Sequence, residues 1–194
     1  VKDDYGIELK KMNIGGGIGV KYTEEDSPPD ISGFIESVSA RLLLRTKELG
    51  LALPTLILEP GRSIIGTAGM TVYKIGTIKK VLEDRTYLFV DGGMADNPRP
   101  MMYQSFHTFS LARQSDVPTS NYVIAGKYCE SGDILAENIS LSGPKVDDLL
   151  LVFGTGAYNY SMASNYNRAC KPAVVLVNEG TVNLLVERES FDDL

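Results

Sequence analysis

The chain of 194 residues is long enough for one domain or one and a half, and its 43% apolar content is typical of a soluble globular protein with a sizeable core. The formal net charge of -6, with no basic block longer than a pair such as Lys79-Lys80, argues against a nucleic-acid partner. No apolar run approaches the ~18 residues of a membrane span and no signal peptide is present, which predicts a cytoplasmic protein without a membrane partner. The first residue is Val1 rather than methionine, so we expect a fragment of a longer protein.

The first predicted element is a short strand that breaks into Gly15-Gly16-Gly17-Ile18-Gly19. Glycines lack a Cβ, so their backbone N–H groups can approach a phosphate closely. The cluster matches neither the P-loop nor the complete dinucleotide-binding pattern, and a flexible turn is the alternative interpretation. The stretch is therefore a candidate anion site.

An amphipathic helix is predicted after Asp30, which is a suitable N-cap residue. Its apolar residues recur at helical spacing: Ile31, Phe34, Ile35, Val38 and Leu42. Gly50 is the expected stop, and the apolar run at residues 55–58 then predicts a buried strand. Strand, helix and strand form a βαβ unit, whose parallel strands end on the same face.

A carboxylate and a guanidinium follow the second strand directly, in the segment Glu59-Pro60-Gly61-Arg62-Ser63. In α/β barrels the carboxyl ends of the strands carry the functional groups. A salt-bridged turn explains these five residues equally well. Further clusters of reactive groups later in the chain favour a ligand site.

After Gly66 the β-prone runs follow one another without a helical period, which predicts a mostly antiparallel β region. The charged triplet Glu83-Asp84-Arg85 is the expected turn of the first hairpin. The change from βαβ to serial strands predicts a domain boundary just after Ile65. The predicted strands are residues 70–81, 87–90, 122–125, 134–141 and 149–153, with a final hairpin of residues 173–177 and 182–186.

The loop Asp91-Gly92-Gly93-Met94-Ala95-Asp96-Asn97-Pro98-Arg99-Pro100 leads into Met101-Met102-Tyr103. If this stretch is helical, Arg99 and Tyr103 are four residues apart on one face, where a guanidinium and a phenol can grip one carboxylate. The alternative is a solvated arginine that follows a turn.

A second loop places Cys129 beside Glu130 in the glycine-bounded stretch 126–133. A thiol and a carboxylate side by side can serve as an acid/base pair. Isolated cysteines are more often buried small hydrophobes, but the polar neighbours of Cys129 weaken that interpretation. We interpret Cys170 as a buried small hydrophobe and the single histidine, His107, as a surface residue or one whose hydrogen bonds are satisfied within the protein. One histidine with two scattered cysteines predicts no metal site.

A third loop, residues 154–167, contains three tyrosines and three asparagines after a predicted strand. Such a stretch can stack on a planar ligand and donate hydrogen bonds to its substituents. A structural loop with tyrosine anchors is the alternative.

Five motifs thus stand in a fixed order: GGGIG, EPGRS, DNPRPMMY, GKYCESGD and GTGAYNYSMASNYN. Together they resemble the C-terminal half of diaminopimelate decarboxylase, a pyridoxal-phosphate enzyme of fold type III. The resemblance implies an α/β plus β fold, with residues 1–66 as the last part of a (β/α)8 barrel and residues 67–194 as the C-terminal β domain. It also implies that the full-length parent converts meso-2,6-diaminopimelate to L-lysine and CO2, the last step of lysine biosynthesis.

The resemblance assigns a role to each matching residue. Cys129 is similar to the proton donor, and Glu59 to the carboxylate that pairs with the pyridine nitrogen of the cofactor. The cofactor contacts implied by the resemblance are Gly17, Glu59, Pro60, Gly61, Arg62 and Tyr158. The implied substrate contacts are Arg62, Arg99, Tyr103, Glu130 and Tyr158.

One departure from the family pattern concerns the lysine that forms the Schiff base with the cofactor, which no lysine of this chain matches. The chain by itself is therefore expected to lack decarboxylase activity. In the family, Cys129 and Glu130 act in the partner subunit's site, so the resemblance implies a homodimer with a shared active site. The alternatives are a decarboxylase of ornithine, arginine or carboxynorspermidine and a non-catalytic homologue, and the segment that carries Arg99 favours diaminopimelate.

Overall fold

The computed structural model describes residues 2–82 and 85–194. The chain divides into two compact units, Val1–Thr67 and Ala68–Leu194. The first unit contains helices and a parallel strand pair, and the second is mainly sheet. This division lies one residue after the predicted one between residues 66 and 67.

The first unit contains the predicted βαβ unit. Strands β1 and β2 pair in parallel, with Lys11 opposite Thr55 and Asn13 opposite Ile57, and helix α2 connects them. Because the strands run in the same direction, the loops that follow Asn13 and Ile57 leave the sheet at the same edge. The elements are α1 (Lys2–Tyr5), β1 (Lys11–Asn13), α2 (Ile31–Glu48), β2 (Thr55–Ile57) and α3 (Arg62–Ile65).

The start of helix α2 and the apolar face that it turns inward largely agree with the prediction from its sequence. The Asp30 side chain accepts a hydrogen bond from the Gly33 N–H at 2.9 Å, which caps the first turn. Four of the five predicted apolar residues are half-buried, whereas Ile31 in the first turn is exposed. Thr46 continues the inner face one turn further and is buried.

The second unit contains a six-stranded sheet and a separate hairpin. The strand order in the sheet is β5-β8-β3-β4-β6-β7, and every pair is antiparallel except β4 with β6. The edge strands β5 and β7 approach each other, so the sheet nearly closes on itself. The elements are β3 (Met70–Leu82), β4 (Arg85–Val90), α4 (Arg99–Tyr103), β5 (Phe109–Leu111), β6 (Thr119–Ala125), β7 (Ile134–Ser142), β8 (Leu149–Phe153), β9 (Val174–Asn178) and β10 (Thr181–Val186).

These strands confirm the predicted mostly antiparallel β region, with small differences. Strand β5 was not expected, because its three residues are too few to show an alternating pattern. The predicted turn at Glu83 and Asp84 lies outside the described residues, and the flanking Leu82 and Arg85 pair across the hairpin. The C-terminal hairpin is present as β9 and β10, with Thr181 opposite Asn178.

The core of the second unit lies on one face of the sheet. Ile75, Leu88, Ile124 and Leu150 are fully buried, and each comes from a different strand. His107 is buried, with its Nδ1 3.0 Å from the Phe153 carbonyl oxygen, so it is a satisfied residue and not a surface one. Burial lowers the pKa of His107, so it packs as a neutral ring.

Candidate active site

The candidate site residues of the first unit lie at the carboxyl edge of its parallel strands. Asn13, the last residue of β1, donates a hydrogen bond from Nδ2 to Glu59 Oε1 at 2.6 Å. The Gly15 N–H donates to Asn13 Oδ1 at 2.7 Å, and the Glu59 N–H donates to the Gly15 carbonyl oxygen at 2.7 Å. Two of these three hydrogen bonds reach Glu59 in the segment that follows β2, and the third holds the Asn13 side chain against the glycine loop.

The glycine loop has a defined conformation that residues other than glycine rarely adopt. Gly15 and Gly17 have φ values of 72° and 81°, in the left-handed region. A Cβ on Gly16 would lie 2.2 Å from the Glu59 carbonyl oxygen. Within the described part of the chain, the N–H groups of Gly16 and Gly17 make no hydrogen bond, so both are available to a ligand.

The rest of the Glu-Pro-Gly-Arg segment continues into helix α3. Gly61 stands at its N-cap position and Arg62 is its first residue. The Arg62 Cζ lies 5.9 Å from the centroid of the Tyr22 ring. Pro60 borders the glycine loop, because its Cα lies 3.6 Å from the position that a Cβ on Gly16 would take. Glu59, Pro60, Gly61 and Arg62 are thus brought together with the glycine loop at one edge.

In the second unit, Arg99 is buried between two aromatic rings. Arg99 and Tyr103 begin and end helix α4, which confirms the predicted helical spacing. The Arg99 Cζ lies 5.1 Å from the centroid of the Tyr103 ring and 5.8 Å from that of Tyr158. Arg99 is only 8% exposed, so the solvated arginine that we considered as an alternative is wrong. Its Nε makes no hydrogen bond with any described residue.

This environment gives Arg99 the properties of an anion receptor. Aromatic faces attract a guanidinium but leave its N–H groups free, because the rings offer no strong acceptor. A buried donor without a partner is unfavourable unless a ligand supplies one. A carboxylate matches the planar N–H fork of arginine, because two N–H groups can donate to its two oxygens.

Contacts between loops bury Arg99. Asn97 is fully buried and accepts a hydrogen bond from Asn159, the neighbour of Tyr158. Tyr158 itself has φ 63°, an uncommon conformation for a residue other than glycine. The Ser164 N–H donates to the Ala95 carbonyl oxygen at 2.9 Å and joins the same two loops. The Arg99 loop and the tyrosine-rich loop therefore form one structure.

Asp133 joins the Arg99 loop to the cysteine loop, and its role was not predicted from the sequence. Its buried carboxylate accepts hydrogen bonds from the Met94 N–H at 2.7 Å and the Tyr128 N–H at 2.8 Å. Burial raises the pKa of Asp133, and these two hydrogen bonds oppose that rise. A Cβ on Gly93 or Gly126 would lie 2.5 Å or 2.1 Å from a carboxylate oxygen of Asp133. Glycine is therefore required at both positions.

Cys129 and Glu130 lie on the loop that Asp133 holds. Cys129 is an exposed free thiol, so the interpretation as a buried hydrophobe does not apply to it. Glu130 accepts hydrogen bonds from the Gly132 N–H, the Ser131 hydroxyl and the Tyr166 hydroxyl, which lower its pKa and keep it ionised. Tyr166 was not assigned a role in the sequence, although it lies in the tyrosine-rich stretch. Cys170 is a half-buried free thiol.

Among residues 2–82 and 85–194, no group of three or more histidine, cysteine, aspartate or glutamate residues is placed to hold a metal ion. No helix in these ranges is both long and apolar enough to cross a membrane.

Residues 11–156 match the pyridoxal-dependent decarboxylase, C-terminal sheet domain. The chain belongs to this decarboxylase family. It is 48% identical to the diaminopimelate decarboxylase of Synechocystis sp. over 98% of the chain, but it spans only 41% of that relative. These matches confirm the resemblance drawn from the five motifs.

Solved structures of the decarboxylase family support the same relationship. Diaminopimelate decarboxylase from M. jannaschii in co-complex with L-lysine superposes with a TM-score of 0.91 and 34% identity, and the match covers 99% of this chain and 43% of that one. The lysine/ornithine decarboxylase from Vibrio vulnificus is less similar, with a TM-score of 0.71, 26% identity, 86% of this chain and 43% of that one. The expected fold class is thereby confirmed, whereas the roles of individual residues stay predictions.

The first unit of this decarboxylase chain fits pyridoxal phosphate. The N–H groups of Gly16 and Gly17 suit a phosphate, because both point to no acceptor within the described residues. Glu59 supplies a carboxylate, the group that a pyridinium nitrogen needs as its partner. Asn13 holds that carboxylate on the edge that carries the glycine loop.

The close contact of Asp133 with Gly126 predicts that a larger residue at position 126 destabilises the protein. We expect Gly126→Ala to destabilise the protein by about 1–3 kcal/mol, because the new methyl group overlaps the Asp133 carboxylate. Gly76→Ala in β3 is the matched control, since its nearest neighbour, the Phe89 carbonyl oxygen, lies at an ordinary 3.8 Å. Urea unfolding measures both changes, and equal stability of the two variants would contradict the role given to Asp133.

Proposed function

We propose that the protein to which this chain contributes the C-terminal part decarboxylates meso-2,6-diaminopimelate to L-lysine and CO2 with pyridoxal phosphate. The observation that carries the proposal is the buried guanidinium of Arg99, which lies between Tyr103 and Tyr158 and whose Nε donates to none of the described residues. The substrate has a second carboxylate at its non-reacting end, and such a receptor suits it. The similarity to diaminopimelate decarboxylases over nearly the whole chain supports the same substrate.

The residues of the first unit would hold the cofactor. The Gly16 and Gly17 N–H groups would donate to its phosphate, with Gly61 and Pro60 bordering the same loop. Glu59 would accept a hydrogen bond from the protonated ring nitrogen, and Arg62 would lie beside it at the start of α3. When bound, pyridoxal phosphate supplies a ring that accepts the electron pair left behind by the departing CO2.

The residues of the second unit would hold the far end of the substrate. That end carries a carboxylate and an ammonium group, which need a cation and an anion as partners. Arg99 would bind the carboxylate, with the Tyr103 and Tyr158 rings excluding water around the guanidinium. Glu130 would bind the ammonium group of the substrate in the partner subunit's site, because its three hydrogen bonds keep the carboxylate ionised.

Cys129 would donate a proton from Sγ to the carbon that has lost its carboxylate. Its thiol is exposed and forms no disulfide, so it can reach a ligand. General acid catalysis of this kind matters only after the substrate is seated. As further parts of the proposal, the protein is a cytoplasmic homodimer in which Cys129 and Glu130 act in the site of the partner subunit.

The experiment that tests this function compares two substrates. We expect the full-length protein, loaded with pyridoxal phosphate, to release CO2 with a higher kcat/KM from meso-diaminopimelate than from L-ornithine, because ornithine has no far-end carboxylate for Arg99. Faster release from ornithine would favour the alternative decarboxylase. No release from either substrate by the cofactor-loaded protein would favour a non-catalytic homologue.

A second prediction separates catalysis from cofactor binding. Cys129→Ala is expected to slow turnover by about 100- to 10,000-fold, the usual contribution of a general acid, while the visible absorbance of the bound cofactor stays unchanged. Cys170→Ala is the matched control and is expected to retain activity, because we assign that half-buried thiol no role in the reaction. Activity that falls only in proportion to lost cofactor would show that Cys129 does not act as the proton donor.

A further inference from the structure

Asn13 makes two hydrogen bonds whose directions are fixed by chemistry. The Gly15 N–H can only donate, so the side-chain oxygen of Asn13 must face it, at 2.7 Å. The amide nitrogen then faces Glu59 and donates to Oε1 at 2.6 Å.

We propose that Asn13 is a positioning residue for the cofactor: its side chain orients the Glu59 carboxylate and ties it to the phosphate-binding glycine loop. The inference rests on the proposed function, because Glu59 matters here only as the partner of the ring nitrogen. Asn13 joins the two cofactor contacts directly, since the same side chain bonds Gly15 of the loop and Glu59. No other side chain among the described residues makes a hydrogen bond to Glu59.

Because Asn13 and Glu59 are exposed, a role in positioning the cofactor can be distinguished from a role in stabilising the fold. In the chain by itself Asn13 and Glu59 are both exposed, so water can replace their hydrogen bond and its loss costs the fold little. A planar ring seated on Glu59 would exclude that water, and the same hydrogen bond would then act in a less polar environment, where it is stronger. Removing the donor should therefore weaken cofactor binding without lowering the stability of the protein.

The substitution Asn13→Asp tests this with a pH readout. It keeps an oxygen for the Gly15 N–H, so the loop is preserved, but it turns the donor to Glu59 into a carboxyl group. Two carboxylates at this distance cannot both ionise easily, so at acidic pH the introduced group keeps a proton and donates it to Glu59 as the amide did. As the pH rises and that proton is lost, the donor disappears and the two negative charges repel each other.

The experiment is an equilibrium titration of the full-length apoprotein with pyridoxal phosphate, followed by visible absorbance from pH 5 to pH 9. We expect Asn13→Asp to bind nearly as well as wild type at the acidic end and about 10- to 100-fold more weakly at the basic end. Asn13→Ala should be weaker at every pH. Lys11→Gln, an exposed substitution on the same strand, is the control and should follow the wild type.

The possible outcomes distinguish this inference from the function on which it rests. If the wild type binds the cofactor and both Asn13 variants bind it equally well at all pH values, the positioning role of Asn13 is wrong but the proposed function stands. A melting temperature of the apoprotein lowered by more than about 5 °C in Asn13→Asp would assign Asn13 to the fold instead, since that corresponds to a structural contact. Wild type that fails to bind pyridoxal phosphate would overturn the proposed function itself.

Discussion

The buried carboxylate of Asp133 is the contact on which the functional loops of the second unit depend. It accepts hydrogen bonds from the N–H groups of Met94 and Tyr128, which lie on two different loops. Gly93 and Gly126 lie so close to it that neither position has room for a side chain. A buried carboxylate is unfavourable without such donors, so the two loops must keep these positions while the unit is folded. The loop that contains Met94 continues into helix α4, which carries Arg99, and the loop that contains Tyr128 continues into Cys129. One structural carboxylate therefore sets the starting points of both candidate reactive groups.

The first unit is organised by the same kind of constraint, built from backbone rather than from a carboxylate. Parallel pairing brings the ends of two strands to one edge, and the close approach of Gly16 to the Glu59 carbonyl oxygen fixes how the following loops lie there. The hydrogen bonds of Asn13 and Gly15 are internal and hold the two loops against each other. The cost of ordering these groups is thus met during folding, which favours tight binding of a rigid ring.

The sequence predicted what depends on local pattern and missed what depends on distant contacts. The cap at Asp30 and the helical spacing of Arg99 and Tyr103 were readable because their partners lie within one turn. The role of Asp133 was not, since one of its donors, Met94, is 39 residues away. The burial of Arg99 likewise rests on the contact of Asn97 with Asn159, 62 residues apart. The parallel pairing of β4 with β6 also escaped a prediction based on serial strands, because a helix and another strand intervene.

Two ligands that differ in one carboxylate test whether buried Arg99 is the receptor for that group. L-Lysine has the far-end carboxylate of diaminopimelate, and cadaverine has the same chain without it. In the cofactor-loaded full-length protein, Arg99→Gln should weaken the binding of L-lysine by about 100-fold, as expected for a desolvated charge pair, and change the dissociation constant of cadaverine by less than about threefold. An equal loss of affinity for both ligands, or for neither, would contradict the account.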